Sequence, residues 1–495
     1  MKRILKITLA CVLLVGMICA LAACSEKMSQ KAVSLDKTGA SVQNNGGMAV
    51  KYGKYVYFVN GYAGESAANE YGQVVRGAIM RTTLDEKGEP DYKSVVTIAP
   101  KNVYGEDKTH SGIYIVGDHV YYNTTSTDKN SKREYKTTEG VIMRTTLDGS
   151  KTEAVKELND NDVILYAGDN SNYLVYAFDN YLYAYNPKTG KIDLLTKSNA
   201  KNPKSEEQTY VAVTFGGDYA VYTMYNYADE ANYSSDYIVW AFDLKTGEHK
   251  AIMSSDIYNG DATRSVLYTT SVVDVVPESD GFTLYYSKTG KDNESVNGFY
   301  SQKFATNDLT FKKETEVRYT YETTTAAYTK FAKLSNGYTL AFNTNKIDVY
   351  DANGNKVKNN NADLRFTFQG SSDSVTVTPI NFVETDSEVY VNYIYENSFR
   401  YIKLFNKNNG TFTPANENMI KFFSAKYCSD YISYDIIDNV IYYCSEDLGD
   451  NVAYFVIPTL SEITSDTVLD KGKILGKISD EDLVTLVQES SSENQ

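Results

Sequence analysis

Tryptophan occurs once in 495 residues, histidine three times, cysteine five times and proline eight times. The histidines His110, His119 and His249 are scattered, and no Cys or His spacing fits a zinc or iron–sulfur site. No G-x-S-x-G elbow, H-E-x-x-H pair or Walker-type loop is present. Gly472-Lys473-Ile474-Leu475-Gly476-Lys477 has the composition of a phosphate loop at the wrong spacing. Basic residues are outnumbered, 49 Lys+Arg against 64 Asp+Glu, for a net charge of −15. That balance argues against nucleic acid and anionic head groups as partners. The apolar run 7–20 is too short to span a bilayer as a stable helix.

What is abundant is tyrosine, 44 residues. An apolar ring with a polar tip suits half-buried strands. With Asn, Thr, Ser, Gly and Asp filling the gaps between apolar runs, the chain reads as mostly β. Ile79-Met80-Arg81-Thr82-Thr83-Leu84-Asp85 recurs letter for letter at Ile142-Met143-Arg144-Thr145-Thr146-Leu147-Asp148. A repeat decides architecture before any other signal.

The repeated grammar is a strand, a Gly/Asp/Asn turn, a Tyr-rich strand, a variable loop, a third strand ending in an Asp or Asn turn, and a closing strand. Four strands in 40 to 60 residues is the size of a propeller blade. The expected fold is all-β: a single β-propeller of four-stranded blades over 47–476, with eight blades and seven as the alternative count. The third unit, read as beginning at Asn172, is short. Either residues 31–35 or Val42-Gln43 are expected to complete the eighth sheet and close the ring. A short helix from Ser479 and a frayed tail are expected over 477–495.

At the N-terminus, Lys2, Arg3 and Lys6 precede the apolar run, and Leu21-Ala22-Ala23-Cys24 follows it. These residues resemble the lipobox of bacterial lipoproteins. The resemblance implies a signal peptide over 1–23, cleavage before Cys24, and a diacylglycerol on the Cys24 sulfur that anchors the chain at the extracytoplasmic face of the cell membrane. Residues 24–46, polar and small, read as a tether. Of the remaining cysteines, Cys444 is expected opposite Ser433 in a hairpin turning at Asp438-Asn439. That register leaves Cys428 too far away for a disulfide.

Two third-strand turns, Ala184-Tyr185-Asn186-Pro187-Lys188-Thr189-Gly190 and Ala241-Phe242-Asp243-Leu244-Lys245-Thr246-Gly247, are similar to the quinoprotein-type (PQQ-like) propeller repeat. The stretch from Ile142 to Gly149 resembles receptor-type propeller repeats found in bacterial lipoproteins of unassigned function. Quinoprotein enzymes carry a tryptophan in most blades. Here Trp240 is the only one, so no bound quinone is implied, and no cofactor or metal is expected.

The Asp or Asn closing each third strand (Asp85, Asp148, Asn186, Asp243, Asp351, Asn406) reads as a turn former through an Asx hydrogen bond. The acidic cluster Asn159-Asp160-Asn161-Asp162 lacks the glycine of a calcium loop. Arg81 and Arg144, at one repeat position, read as outward polar residues or as salt bridges to a neighbouring blade. His119 and His249 read as solvated. His110, Tyr210, Arg264, Lys426 and Tyr427 precede first strands, where a propeller opens around its central channel. They are the candidate ligand-binding residues. The expected function is a membrane-anchored, monomeric binding or scaffold module for a glycan, peptide or partner protein. The alternative is an extracytoplasmic glycan lyase or hydrolase with its site at the channel mouth.

Overall fold

The computed structural model describes residues 28–29, 32–60, 78–91, 93–99, 112–125, 140–159, 161–197, 208–225, 237–253, 268–290, 294–306, 308–319, 328–342, 346–363, 365–367, 374–376, 381–395, 398–407, 411–412, 419–425, 433–444, 452–457, 468–469 and 473–475. Cys24, His110, Arg264, Lys426, Tyr427, Cys428 and the expected C-terminal helix lie outside them.

Strands dominate, and the only helical turns among the described residues are Glu294–Val296 and Lys313–Thr315. The protein is all-β, built from four-stranded antiparallel sheets whose strands follow one another in chain order, the blade pattern of a β-propeller. The first sheet holds Ala49–Tyr52, Tyr55–Asn60, Ala78–Thr83 and Val96–Ala99. The second holds Tyr114–Val116, His119–Thr125, Gly140–Thr146 and Lys151–Ala154. The duplicated heptapeptide thus forms the third strand of two successive sheets.

The chain divides into two compact units, residues 1–164 with 475–495, and residues 165–474. In the first, residues 32–46 do not behave as a free tether. Val33 N donates to Asp148 O at 2.9 Å, Asp36 pairs with Lys54 at 2.9 Å, and Lys37 pairs with Asp118 at 2.6 Å. Val42–Gln43 adds to the inner edge of the first sheet beside Ala49–Tyr52, and Met28–Ser29 adds to the outer edge of the second beside Lys151–Ala154. The expectation that Val42-Gln43 would join the last sheet is therefore corrected. The Asn45 side chain completes the docking. Its amide donates to Ile115 O (3.0 Å) and its Oδ1 accepts from Ile115 N (2.7 Å), in the manner of a neighbouring strand.

The third sheet is complete. Val163–Tyr166, at the boundary between the units, is its first strand, so Leu174–Phe178 is the second and not the first. That four-residue run directly follows the Asn/Asp cluster, which masked it as a loop. Asp162 serves that turn, its Oδ2 accepting from Asn159 N at 2.7 Å. The fourth sheet (Tyr210–Gly216, Tyr219–Tyr225, Tyr237–Asp243, His249–Met253) and the fifth (Tyr268–Glu278, Gly281–Gly290, Gly298–Ala305, Val317–Tyr319) pack face to face. Val221, Val239, Ala241 and Ile252 of one meet Phe282, Leu284 and Phe304 of the other. Burial on both faces explains strands that are apolar at nearly every position. The sheets approach so closely that a Cβ on Gly216 would lie 2.2 Å from Val275 O. A two-stranded hairpin, Arg365–Thr367 with Ser374–Thr376, comes between the sixth and seventh sheets in chain order, and the seventh sheet's first strand is Asn381–Glu384.

The turns follow the expected chemistry. Asp85 Oδ1 accepts from Lys87 and Glu89 N, and Asp148 Oδ1 from Ser150 N. Asn186 Oδ1 accepts from Lys188 and Thr189 N, Asp243 Oδ1 from Lys245 and Thr246 N, and Asp351 Oδ1 from Asn353 and Asn355 N. Asp179 and Asn180 both have positive φ, 48° and 65°, as a two-residue hairpin requires. In the last hairpin Cys444 stands opposite Ser433, as the sequence register predicts.

Candidate functional site

The first, second and fourth sheets each have two unlike ends. At one, first and second strands are joined by tight turns, as at Gly53-Lys54, Gly117-Asp118 and Gly217-Asp218. At the other, the connections 61–77, 126–139 and 226–236 join second to third strands, and 254–267 leads from the fourth sheet to the fifth. Tyr210 begins its strand at this loop end, and its N–H donates to Asn180 O (3.3 Å) in the corresponding turn of the third sheet. Its ring packs half-buried on the core between the third and fourth sheets. Of the five candidate residues it alone is among those described.

Beside Tyr210 the ladder slips. Tyr210 pairs with Met224 and Ala212 with Thr223, so Val211 is an extra residue, 45% exposed. The first strand of the fifth sheet carries the same bulge at Val273, between Val272 and Asp274. Both lie five residues before the strand's last paired residue, Gly216 or Glu278. A bulge re-aims side chains at a strand edge. Here it presents Val211 at the loop end, and in the fifth sheet it directs Asp274 at the neighbouring sheet. Asp274 Oδ2 accepts from Phe331 N at 2.8 Å. Burial raises the Asp274 pKa, against the pull of its two backbone hydrogen bonds. Phe178, 41% exposed, adds a further apolar surface beside the Asp179-Asn180 turn.

At the same end of the fifth sheet, Lys288 is 6% exposed. Its Nζ lies 2.5 Å from Glu316 Oε1 and 4.2 Å from the centre of the Tyr300 ring. Tyr286 Oη donates to the same carboxylate oxygen. Arg318 approaches the Tyr300 ring at 5.8 Å and donates to Asn297 O at 3.1 Å, while Tyr300 Oη donates to Val296 O at 2.7 Å. Burying a lysine alone is costly, and here a carboxylate and ring faces accompany the ammonium. The cluster fixes the 294–297 turn. The sequence offered a signal for it, two tyrosines and a lysine on one face of adjacent strands, but pairing Lys288 with Glu316 required the register.

His249 is not solvated, contrary to the sequence reading. Its ring stands 4.8 Å from Trp240 and 6.0 Å from both Tyr222 and Phe242. Tyr222 Oη donates to Leu195 O (2.6 Å), so its oxygen accepts from His249 Nε2 at 2.5 Å, which assigns the proton to Nε2. Burial pushes the His249 pKa down to about 4, with Asp193 opposing weakly. The neutral ring stabilises the fold above the ordinary value of 6.5, and that contribution is lost as pH falls towards 4. His119 is also half-buried, its pKa lowered first by burial and then by Arg144.

The repeat arginines are likewise not outward. Arg81 is 5% exposed; its Nη2 donates to Ser34 O (2.6 Å) and its Nη1 reaches Leu147 O (3.4 Å). Arg144 pairs with Glu153 on the adjoining strand of its own sheet, at 2.7 and 3.1 Å. Among the described residues no three His, Cys, Asp or Glu side chains cluster as metal ligands, and no helix is long and apolar enough to cross a membrane.

No family model matches the chain, and no curated protein matches it. Several solved structures are similar at low identity. The dihydro-heme d1 dehydrogenase NirN is 11% identical over 89% of this chain and 77% of its own, with a TM-score of 0.41. A prolyl endopeptidase is 9% identical over 82% of this chain and 55% of its own, TM-score 0.37. A gluconolactonase from Xanthomonas campestris is 10% identical over 74% of this chain and 96% of its own, TM-score 0.26. At these scores the likenesses carry no argument about activity.

Proposed function

We propose that the protein is a lipid-anchored extracytoplasmic β-propeller that serves as a binding or scaffold module for a glycan, peptide or partner protein. One observation carries this reading: the unlike ends of the first, second and fourth sheets. The tight-turn end is closed by Asx and Gly turns that leave little room for variation. The loop end carries the long connections, and these hold the Tyr, Asn and Ser side chains suited to stacking and hydrogen bonding, as in Tyr225-Asn226-Tyr227 and Tyr233. Tyr210, Val211 and Phe178 lie at that end, on strands rigid enough to hold them.

The test is capture by the chain from residue 25 onward on glycan and peptide arrays and from solubilised envelope proteins. It is repeated with 226–236 and 61–77 each replaced by a short Gly/Ser connection. Loss of capture with an unchanged unfolding transition supports the reading. Capture that survives both replacements, or no capture at all, overturns it. Intact-mass analysis of the membrane-bound form, with Cys24→Ala as control, tests the anchor separately.

A further inference from the structure

Resting on the lipidation of Cys24, we propose that the N-terminal segment is a short leash that holds the outer edge of the second sheet against the phospholipid surface. The docking of this segment begins at once. Met28 stands opposite Thr152 and Ser29 opposite Lys151, on the outer strand of the second sheet. Val33 then bonds Asp148 O, and Ser34 O accepts from the buried Arg81. Asp36 follows with Lys54 and with Tyr55 Oη, which is 3.0 Å from Asp36 N. Only three residues separate Cys24 from Met28, four steps along the chain. A fully extended chain covers at most about 3.6 Å per residue, so Met28 lies within about 14 Å of the lipid-bearing cysteine. A linker of that length cannot let a folded domain tumble freely.

The ladder also sets a direction. It is antiparallel, so Met28, the N-terminal end of its strand, stands on the side of Glu153, Ala154 and the turn that follows, where Lys156 and Glu157 are exposed. The inner strand of the same sheet, Tyr114–Val116, lies four strand spacings from Met28–Ser29, or about 19 Å. Asp118, on the exposed turn after that inner strand, is therefore a distal reference within one sheet. Lys156 and Glu157 carry opposite charges, so the lipid and the leash, rather than surface charge, hold this edge to the membrane.

The experiment uses the full lipidated chain in vesicles of phosphatidylethanolamine and phosphatidylglycerol. A photoreactive benzophenone side chain is placed at Lys156 or at Asp118. Lipid adducts are expected to be severalfold more abundant at Lys156 than at Asp118. Inserting about twenty Gly/Ser residues between Glu26 and Lys27 adds roughly 25 Å of flexible reach and is expected to erase the bias. Equal adducts at both positions, or a bias unchanged by the insertion, overturns the leash while leaving the anchor standing. A chain without lipid on Cys24 by mass overturns the anchor and the leash together.

Discussion

Arg81 in the first sheet and Arg144 in the second stand at the same place in the same heptapeptide, and their surroundings differ. Arg81 is closed in by the docked N-terminal segment, lies 4.4 Å over the Tyr55 ring, and spends its donors on the carbonyls of Ser34 and Leu147. Arg144 has an acid across the ladder: Glu153 is its register partner, and Lys151 joins the same carboxylate at 2.8 Å. One copy is satisfied by backbone, the other by charge. Identical local sequence therefore fixed the strand and its turn, but not the role of its one charged side chain, which the neighbouring segment decided.

Substitutions can break or sharpen this contrast. Arg81→Ala removes the side-chain donor to Ser34 O, leaves Leu147 O to Tyr57 Oη and empties a cation–π contact, and is expected to cost about 2 to 3 kcal/mol in denaturant unfolding. It should also open 32–41 to protease. Arg144→Ala leaves Glu153 with Lys151 and is expected to cost about 1 to 2 kcal/mol. An equal loss at the two positions would erase the distinction.

pH separates the pair further. Burial raises the Glu153 pKa, but hydrogen bonds from Lys151 and Arg144 win and hold it at about 2. Its contribution is therefore present above the ordinary value of 4.5 and is lost as pH falls towards 2. The deficit of Arg144→Ala relative to the unmodified chain should shrink over that window. The deficit of Arg81→Ala should persist, because carbonyl acceptors do not titrate. Unfolding curves at pH 6 and at lower pH check the sign.

Tyr57→Phe removes a second donor to Leu147 O, now at 2.7 Å, for about 1 kcal/mol. Asp85→Ala and Asp148→Ala each remove an Asx turn. Each is expected to cost about 0.5 to 1 kcal/mol, with the larger loss at the half-buried Asp148, which also accepts from the Thr146 and Ser150 hydroxyls.

What was legible in the sequence follows the same division. Strand alternation and Asp/Asn turns are local, so the four-stranded unit, the Asx turns and the Cys444–Ser433 register could be read directly. Contacts made by backbone atoms leave no mark: any residue at 34 or 147 would offer Arg81 a carbonyl. The cage around His249 comes from three strands of one sheet and needed the register. The first strand of the third sheet was hidden because four apolar residues beside an Asn/Asp cluster look like a loop. Of the candidate site only Tyr210 is described, and it is the first residue of its strand rather than the residue before it. The bulge at Val211 beside it had no sequence signal, whereas an acid inside the apolar run Val272-Val273-Asp274-Val275 did mark its counterpart.

The docked N-terminal segment has a mechanical side. A chain held by its first residues receives any pull there, and the load meets its fastenings in series. The two-residue ladder of Met28–Ser29 is first, then Val33, then the guanidinium of Arg81 gripping Ser34 O. The outer ladder can peel residue by residue at little force, while the buried arginine behind it acts as a stop. Tension applied through the proposed lipid anchor would thus lengthen the connection by a few residues before it reached any strand of the first sheet, so the segment would act as a strain relief for the folded body.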